Sequence, residues 1–236
     1  MSFVGHNVMR WLRGVGEAQT AERLPMTQSA PKIQRHSSGL AEFMRRISGE
    51  ESRAAQIRHR TTNEEKLCVL DLGQTSPINI PFFTQRGIRL YNEDILREFR
   101  EKNYMVQQDG AERLDVDKFF AENFDYSEGQ FDAILGWDIA DYLPEPVVKP
   151  MVEKIHHMLK PGGTMLAFFH AKDAGPNAPY FRYNIAQYDT LELAEGPNFH
   201  LQRVFNNRHV ENLFKSFASL KFFLGRDQLR EVLVVR

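Results

Sequence analysis

The chain has a single cysteine, Cys68, so it cannot form an internal disulfide bond. Cys68 lies in an apolar stretch, which favours a buried thiol without a redox role. Scarce cysteine is typical of proteins from reducing compartments, and we therefore expect a cytoplasmic protein. No apolar run approaches the roughly 18 residues that a transmembrane helix needs, so no membrane-spanning segment is predicted.

The chain also lacks an excess of charge of either sign. Its formal net charge is −1, which argues against a nucleic-acid-binding protein that relies on overall positive charge. The charges are unevenly distributed, because residues 1–60 carry ten basic and five acidic side chains. A local basic surface is therefore predicted only near the N-terminus.

Several catalytic and metal-binding motifs are absent. The sequence has no phosphate-binding Gly-x4-Gly-Lys-Ser/Thr loop, no Gly-x-Ser-x-Gly nucleophile turn and no Cys-x-x-Cys pair. His156 and His157 are adjacent, so on a helix they point in different directions, and neither belongs to a His-Glu-x-x-His pattern. We predict no metal site.

The N-terminal residues differ in character from the rest of the chain. Apolar side chains of residues 1–15 fall largely on one side of a helix, which suits an interfacial membrane contact, a protein contact or a frayed terminus. Residues 17–38 are polar and contain Pro25 and Pro31, as linkers do. We predict an N-terminal extension over residues 1–38 and one domain over 39–236, whose 42% hydrophobic content is enough for a core.

The domain is organised around a strand, a loop and a helix. Residues 67–72 are a short apolar run typical of a buried strand, and Gly73 ends it. Polar and turn-forming residues follow, with Asn79 as the expected helix N-cap and Pro81 in the first turn. This arrangement opens βαβ nucleotide-binding folds, but an ordinary parallel strand with a tight exit turn has the same pattern.

Strand and helix patterns alternate along the remaining chain. A helix over residues 39–47 precedes the first strand. Later segments read as strands at 88–92, 131–138 and 164–169 and as helices at 95–102, 116–124, 146–159 and 211–217. A Lys-Pro-Gly-Gly turn occupies residues 160–163, and a hairpin joins 217–224 to 229–236. A strand near 104–107 or 114 is not placed by the pattern. Consecutive apolar residues at 232–235 predict a last strand inside the sheet.

Four stretches together resemble the class I S-adenosylmethionine-dependent methyltransferases. They are Val69-Leu-Asp-Leu-Gly73, Arg89-Leu-Tyr-Asn-Glu-Asp94, Phe131-Asp-Ala-Ile-Leu-Gly-Trp-Asp138 and His157-Met-Leu-Lys-Pro-Gly-Gly-Thr-Met-Leu166. The resemblance implies an α/β fold with a Rossmann-like, doubly wound, mostly parallel sheet of seven strands. It also implies that the last strand is inserted antiparallel between the fifth and sixth.

The resemblance implies a cofactor, S-adenosylmethionine, at the carboxyl ends of the first, second and fourth strands. Asp71 and Gly73 match the start of the family's glycine-rich loop. Thr75 and Pro77 stand where the family has its second and third glycines, so the Thr75 hydroxyl and the neighbouring Ser76 are the expected polar contacts of the loop.

The other implied cofactor contacts lie at the ends of the second and fourth strands. Asp94 matches the acid that accepts hydrogen bonds from the ribose hydroxyls, with Glu93 as the alternative. Trp137 is expected beside the adenine.

Polar residues at the predicted strand ends are the candidates for catalysis. Asp138, Tyr142 and His170, together with Asp141, can orient or deprotonate a nucleophile, although polar residues also cap loops without any such role. A stretch with Tyr180, Arg182 and Tyr183 reads either as a substrate lid or as a solvated loop.

The sequence thus predicts a methyltransferase acting on an unknown acceptor. The Asp-Pro-Pro-Tyr type of motif that amino-methylating nucleic-acid enzymes use is absent after residue 137, which disfavours base methylation. The alternative is a methyltransferase-like domain that has lost its cofactor and binds a partner. Thr75 and Pro77 favour this alternative, while the acids at the strand ends favour the enzyme.

Overall fold

The computed structural model describes residues 33–49, 66–171, 180–197, 199–225 and 229–236. These residues fall within a single unit, Lys32–Arg236. The predicted amphipathic segment 1–15 and most of the predicted linker lie outside the described residues. In the part of the chain that is described, no helix is long and apolar enough to cross a membrane.

The described residues form eleven strands and seven helices. The strands are β1 (Ile33–His36), β2 (Cys68–Asp71), β3 (Arg89–Asn92), β4 (Met105–Gln108), β5 (Ala111–Leu114), β6 (Phe131–Trp137), β7 (Leu159–His170), β8 (Phe181–Gln187), β9 (Thr190–Glu195), β10 (Ser219–Leu224) and β11 (Leu229–Val235). The helices are α1 (Ser38–Ser48), α2 (Asn79–Thr84), α3 (Ile95–Glu101), α4 (Val116–Asn123), α5 (Ile139–Tyr142), α6 (Glu145–Met158) and α7 (Asn207–Leu213).

The central sheet has the order β10-β11-β7-β6-β2-β3. Strands β3, β2, β6 and β7 are parallel neighbours, and β11 pairs antiparallel with both β7 and β10. The predicted Rossmann-like, mostly parallel sheet with an antiparallel last strand between two neighbours is therefore confirmed. Val232 and Val234, on β11, are fully buried, as the apolar run predicted.

The predicted number of seven strands is wrong for the described residues, because this sheet has six. The segment where a third strand was expected forms a separate antiparallel hairpin of β4 and β5. Asp109 and Gly110 connect the two strands with φ values of 53° and 77°, a pair of positive values that suits a tight hairpin turn. Both strands are mostly exposed and offer no apolar face to the sheet.

Helices cover both faces of the sheet, as a doubly wound fold requires. One apolar core joins the sheet to α3, α4, α5, α6 and α7, and a second joins its other face to α1, α2, β8 and β9. Residues of β6 alternate between the two, with Ile134 in the first core and Leu135 in the second. The amphipathic pattern of the helices is explained by these two faces.

A second, three-stranded antiparallel sheet has the order β1-β9-β8. Sequence analysis found none of its strands, and β1 falls in the stretch assigned to the linker. Arg35 of β1 forms a 2.6 Å ion pair with Glu231 of β11, and both side chains are buried. Residues 33–37 therefore belong to the folded unit, and the predicted boundary at residue 38 lies too far along the chain.

Three local boundaries also differ from prediction. The Lys-Pro-Gly-Gly segment lies within β7 as an irregularity of its pairing with β6, with Gly162 at φ 79°. Helix α7 begins and ends four residues earlier than expected. Asn79 is the first residue of α2 rather than its cap, because the Ser76 hydroxyl accepts the backbone N–H groups of Ile78 and Asn79.

Candidate functional site

The predicted site residues gather at one edge of the central sheet. Because β2, β3, β6 and β7 are parallel, their carboxyl ends lie on the same side, where open α/β sheets bind ligands. These ends carry Asp71, Asn92, Trp137 and His170.

Asp71 is the buried anchor of the loop that follows β2. Its Oδ1 accepts hydrogen bonds from Gly73 N at 3.0 Å and Trp137 Nε1 at 2.6 Å, and its Oδ2 accepts one from Asn79 Nδ2 at 3.2 Å. Burial raises the pKa of Asp71 to about 6, and the hydrogen bond from Trp137 is the largest influence in the opposite direction. Both oxygens are thus engaged by the chain itself.

The hydroxyl groups of the loop are engaged in the same way. Thr75 Oγ1 donates to Asn92 Oδ1, and Ser76 Oγ donates to Asn184 Oδ1 of β8 at 2.7 Å. Asn92, which sequence analysis passed over, also donates from Nδ2 to the carbonyl oxygens of Asp71 and Gly73, each at 3.0 Å. In this structure both hydroxyl groups therefore take part in hydrogen bonds that shape the loop.

Strand β8 lies against this loop and is joined to it by Asn79. Asn79 Nδ2 donates to Tyr183 O at 3.0 Å, and Ile185 N donates to Asn79 Oδ1 at 2.8 Å. The amide thus completes the backbone bonding of β8 much as a neighbouring strand would. A polar residue after Ser-Pro is the only sequence signal of this role, and it also fits a helix cap.

Trp137 lies on the glycine of the loop. A Cβ atom added to Gly73 would be 2.4 Å from Trp137 Cδ1, so only glycine fits there. The indole is stacked on Tyr183, with ring centroids 5.0 Å apart and planes 8° from parallel. It is 2% exposed, and its residue has φ 44°, a left-handed conformation that is costly for a bulky side chain.

Tyr180 and Tyr183 are buried, so a solvated loop is wrong for both. Burial raises the pKa of Tyr180 well above its usual value, and the charges of Asp138, Asp94 and Asp71 raise it further. Tyr180 packs edge-on against Tyr142, with ring centroids 5.3 Å apart. Arg182, the third residue of the predicted lid, is partly buried on β8.

The two predicted ribose partners point to different places. Glu93 accepts a hydrogen bond from Tyr126 OH. Asp94 caps α3, with its Oδ1 accepting Arg97 N at 3.2 Å, and burial raises its pKa. The Asp94 charge helps to raise the pKa values of Asp71 and Tyr180.

The predicted catalytic residues form a cluster at the ends of β6 and β7. Asp141 Oδ2 accepts His170 N at 2.7 Å and lies 2.8 Å from His170 Nδ1. Tyr142 packs edge-on against the imidazole, with centroids 5.8 Å apart. Asp138 Oδ2 accepts the Tyr183 hydroxyl at 2.9 Å. The structure thus brings together Asp138, Asp141, Tyr142 and His170.

Buried charge dominates the electrostatics of this cluster. Burial raises the pKa of Asp138 to about 7; the Asp141 charge adds to this effect, while His170 opposes it. Burial also raises the pKa values of Asp141 and Tyr142. Within the described residues, Asp138 Oδ1 and the Tyr142 hydroxyl are buried polar atoms with no hydrogen-bond partner.

Arg230 of β11 is a contributor that sequence analysis missed. Its Nη2 donates to the carbonyl oxygen of His170 at 3.0 Å, and its Nη1 to Asn207 Oδ1 at 2.6 Å. Burial lowers its pKa, and the Asp141 charge opposes that shift. No local pattern distinguishes this arginine, because its position depends on strand pairing across 60 residues.

Potential metal ligands are not grouped in this site. Among the residues that the structure describes, no set of three or more His, Cys, Asp or Glu side chains is placed to hold a metal ion.

The site fits the implied cofactor on one side only. Asp94 offers a carboxylate for hydroxyl groups, and a carboxylate only accepts hydrogen bonds. The face of Gly73, where the backbone of a glycine loop would approach a ligand, is covered by the Trp137 indole. A ligand does not fit against the loop in this conformation.

Comparisons with known proteins give distant similarities to solved structures. No protein-family model and no curated protein sequence matches the chain. The 1,6-didemethyltoxoflavin-N1-methyltransferase of Burkholderia thailandensis, solved with 1,6-didemethyltoxoflavin and S-adenosylhomocysteine, is 11% identical with a TM-score of 0.41, over 90% of this chain and 98% of that one.

Two further structures are S-adenosylmethionine-dependent methyltransferases by name. The protein from Methanosarcina mazei is 14% identical with a TM-score of 0.43, over 76% of this chain and 96% of its own. The protein from Mesorhizobium loti is 14% identical with a TM-score of 0.43, over 81% of this chain and 100% of its own.

Proposed function

We propose that the protein is an S-adenosylmethionine-dependent methyltransferase that binds its cofactor at the carboxyl ends of β2, β3 and β6. The observation that carries this proposal is the convergence of acids at these ends. Asp71 ends β2, Asp94 lies two residues after the end of β3, and Asp138 follows directly on β6, and β3 and β6 are the two parallel neighbours of β2. Polar groups held at adjoining strand ends are the usual ligand-binding arrangement of an open α/β sheet.

In this proposal the acids have different tasks. Asp94 accepts hydrogen bonds from the ribose hydroxyls, and Asp71 keeps the loop in shape. When bound, the cofactor supplies a methyl group on a good leaving group, so the protein mainly contributes proximity and orientation. Asp138, Tyr142 and His170 lie beside it, and an acid with a pKa of about 7 suits proton transfer at neutral pH.

A second candidate is a methyltransferase-like module that binds a partner without the cofactor. The observation that favours it is the contact of Trp137 with Gly73, which closes the loop face. Thr75 and Pro77 in place of glycines favour it as well, since proline has no N–H to offer and threonine is restricted at positive φ.

Titration with S-adenosylmethionine and S-adenosylhomocysteine distinguishes the two candidates. Calorimetry should detect binding, and the ligand should raise the melting temperature of the native protein. Asp94→Ala removes a charge-assisted hydrogen-bond acceptor worth roughly 1.5–3 kcal/mol. The dissociation constant of the ligand should therefore rise by about one to two decades.

Asp115→Ala is the matched control for this experiment. Asp115 caps α4 as Asp94 caps α3, with Oδ1 accepting Lys118 N at 2.9 Å. Both variants lose a helix cap, but only Asp94→Ala should weaken ligand binding. No calorimetric or melting signal at millimolar ligand in the native protein would reject the enzyme and leave the partner-binding module.

A further inference from the structure

The indole of Trp137 makes the contacts that a bound ligand would make with the loop. It lies on Gly73, and its Nε1 donates to Asp71 Oδ1 at 2.6 Å. The contact is tight, since a Cβ atom on Gly73 would be 2.4 Å from Trp137 Cδ1 and 2.8 Å from Trp137 Nε1. The indole thus takes both the open face of the glycine and a hydrogen-bonding position on the acid.

Contacts with neighbouring residues hold the backbone conformation of Trp137. Among the described residues only Asp109 and Trp137 have positive φ without being glycine, and Trp137 is not in a tight hairpin turn. Such a conformation is costly for a bulky side chain and persists only where neighbouring contacts impose it. The parallel stack on Tyr183 and the hydrogen bond to Asp71 are those contacts.

The stack depends in turn on β8. Tyr183 is fixed by its hydroxyl, which donates to Asp138 Oδ2 at 2.9 Å, and by its carbonyl oxygen, which accepts Asn79 Nδ2 at 3.0 Å. Asn79 also donates to Asp71 Oδ2. The loop, β8 and the strand end of β6 therefore hold the indole as one hydrogen-bonded assembly.

We infer that Trp137 is the residue that limits cofactor affinity, because its indole occupies the loop face that the cofactor needs and has to move away before the cofactor can bind there. This inference rests on the proposed function. The apparent affinity of such a site is reduced by the fraction of molecules in which the indole has moved away. If that fraction is about 1–10%, removing the indole strengthens binding by about 10- to 100-fold.

Trp137→Gly is the variant that tests this inference. Glycine accepts φ 44° without strain and leaves the face of Gly73 open. Calorimetry with S-adenosylhomocysteine should give a dissociation constant at least about tenfold lower than that of the native protein. Trp137→Phe retains a ring but cannot donate a hydrogen bond to Asp71. Its dissociation constant should therefore lie between those of the native protein and Trp137→Gly.

Phe217→Ala is the control for general loosening of the fold. Phe217 is a buried aromatic residue that packs on Phe214, in the apolar core on the other face of the sheet from Trp137. Its variant should bind the ligand as the native protein does. Equal or weaker binding by Trp137→Gly, with measurable binding by the native protein, overturns the inference and leaves the proposed function intact. No binding by either protein at millimolar ligand rejects the proposed function and this inference together.

Fluorescence tests the inference even if Trp137→Gly does not fold. The chain has two tryptophans, so Trp11→Phe leaves Trp137 as the only source of indole emission. Saturation with S-adenosylhomocysteine should shift this emission to longer wavelength and increase its quenching by acrylamide, because the indole leaves a buried site. An unchanged spectrum at saturation would mean that the indole stays on Gly73, which contradicts the inference.

Discussion

Single buried acids determine how this protein should respond to pH. Asp71 and Asp138 are each 1% exposed, and burial raises their pKa values to about 6 and about 7. The folded state therefore binds protons near neutrality that an unfolded chain would already have released. Asp138 has the larger effect, since its Oδ1 has no hydrogen-bond partner among the described residues.

Asp138→Asn should make stability less dependent on pH. The pKa of Asp138 rises from 3.8 to about 7 on folding, so wild-type stability falls as pH rises from about 4 to about 7. Asparagine does not titrate and can still accept from Tyr183. As pH rises through this range, the unfolding free energy of the variant should increase relative to that of the wild type by on the order of 2–4 kcal/mol. Urea unfolding at pH 5, 6, 7 and 8 measures the unfolding free energy of each protein, with Asp125→Asn, at an exposed position, as the control. The same pH dependence in the wild type and in Asp138→Asn would contradict the raised pKa of Asp138.

At the scale of elements, the attachment of β8 to the loop depends on one amide. Asn79→Ala leaves two buried backbone groups of β8 without partners, the carbonyl oxygen of Tyr183 and the N–H of Ile185. An unsatisfied buried group costs about 1–3 kcal/mol, so for two groups we expect a loss of roughly 2–6 kcal/mol in unfolding free energy.

The local effect of Asn79→Ala can be separated from the global one. The Ile185 amide should lose protection from hydrogen exchange to a greater extent than amides in the centre of β6. Asn103→Ala is a suitable control, because Asn103 also accepts a backbone N–H, that of Met105, but lies at an exposed position. Uniform loss of protection over both sheets would show that Asn79 does not hold β8 specifically.

Elements with continuous apolar runs were predictable, and those defined by distant pairing were not. Strands β2, β6, β7 and β11 are buried on both faces, so hydrophobicity alone reveals them. Strand β1 pairs with β9 more than 150 residues later, as in Arg35 with Leu191, and its sequence is mostly polar. No local pattern records such a pairing.

The location of the site could be predicted from the sequence, but the directions of its side chains could not. Parallel strands bring their carboxyl ends together, so acids at those ends had to lie close to one another. The direction of each side chain was not accessible, because it depends on contacts between elements. Glu93 is hydrogen-bonded to Tyr126, and Trp137 packs on Gly73. Both contacts join residues far apart in the sequence, so no local sequence pattern predicts them.

At the scale of the whole molecule, residues 33–48 fasten the second sheet to the first. Glu231 of β11 accepts hydrogen bonds from Arg35 and from the backbone N–H of Gly39, at the start of α1. Ser37 caps α1 by accepting Leu40 N at 3.0 Å, and its own N–H donates to Asp189 O at 2.8 Å. One buried carboxylate and one cap thus join both sheets and a helix.

Two truncated chains test where the folded unit begins. A chain of residues 32–236 keeps β1, whereas a chain of residues 39–236, preceded only by the initiating methionine, lacks β1, Arg35 and the Ser37 cap. Losing a partner of a buried ion pair costs about 3–5 kcal/mol, and losing the cap costs about 1 kcal/mol more. Urea unfolding should therefore place the shorter chain roughly 4–6 kcal/mol below the longer one.

The double variant Arg35→Met with Glu231→Leu separates these contributions within residues 32–236. Replacing both charges by apolar groups of similar size leaves neither carboxylate nor guanidinium buried alone, although the N–H of Gly39 loses its acceptor. The double variant should therefore destabilise less than the truncation to residue 39. Glu231→Gln alone should be more harmful than the double variant, because Arg35 then retains its buried charge beside a neutral amide. Equal unfolding midpoints for the two truncated chains would restore the boundary at residue 38.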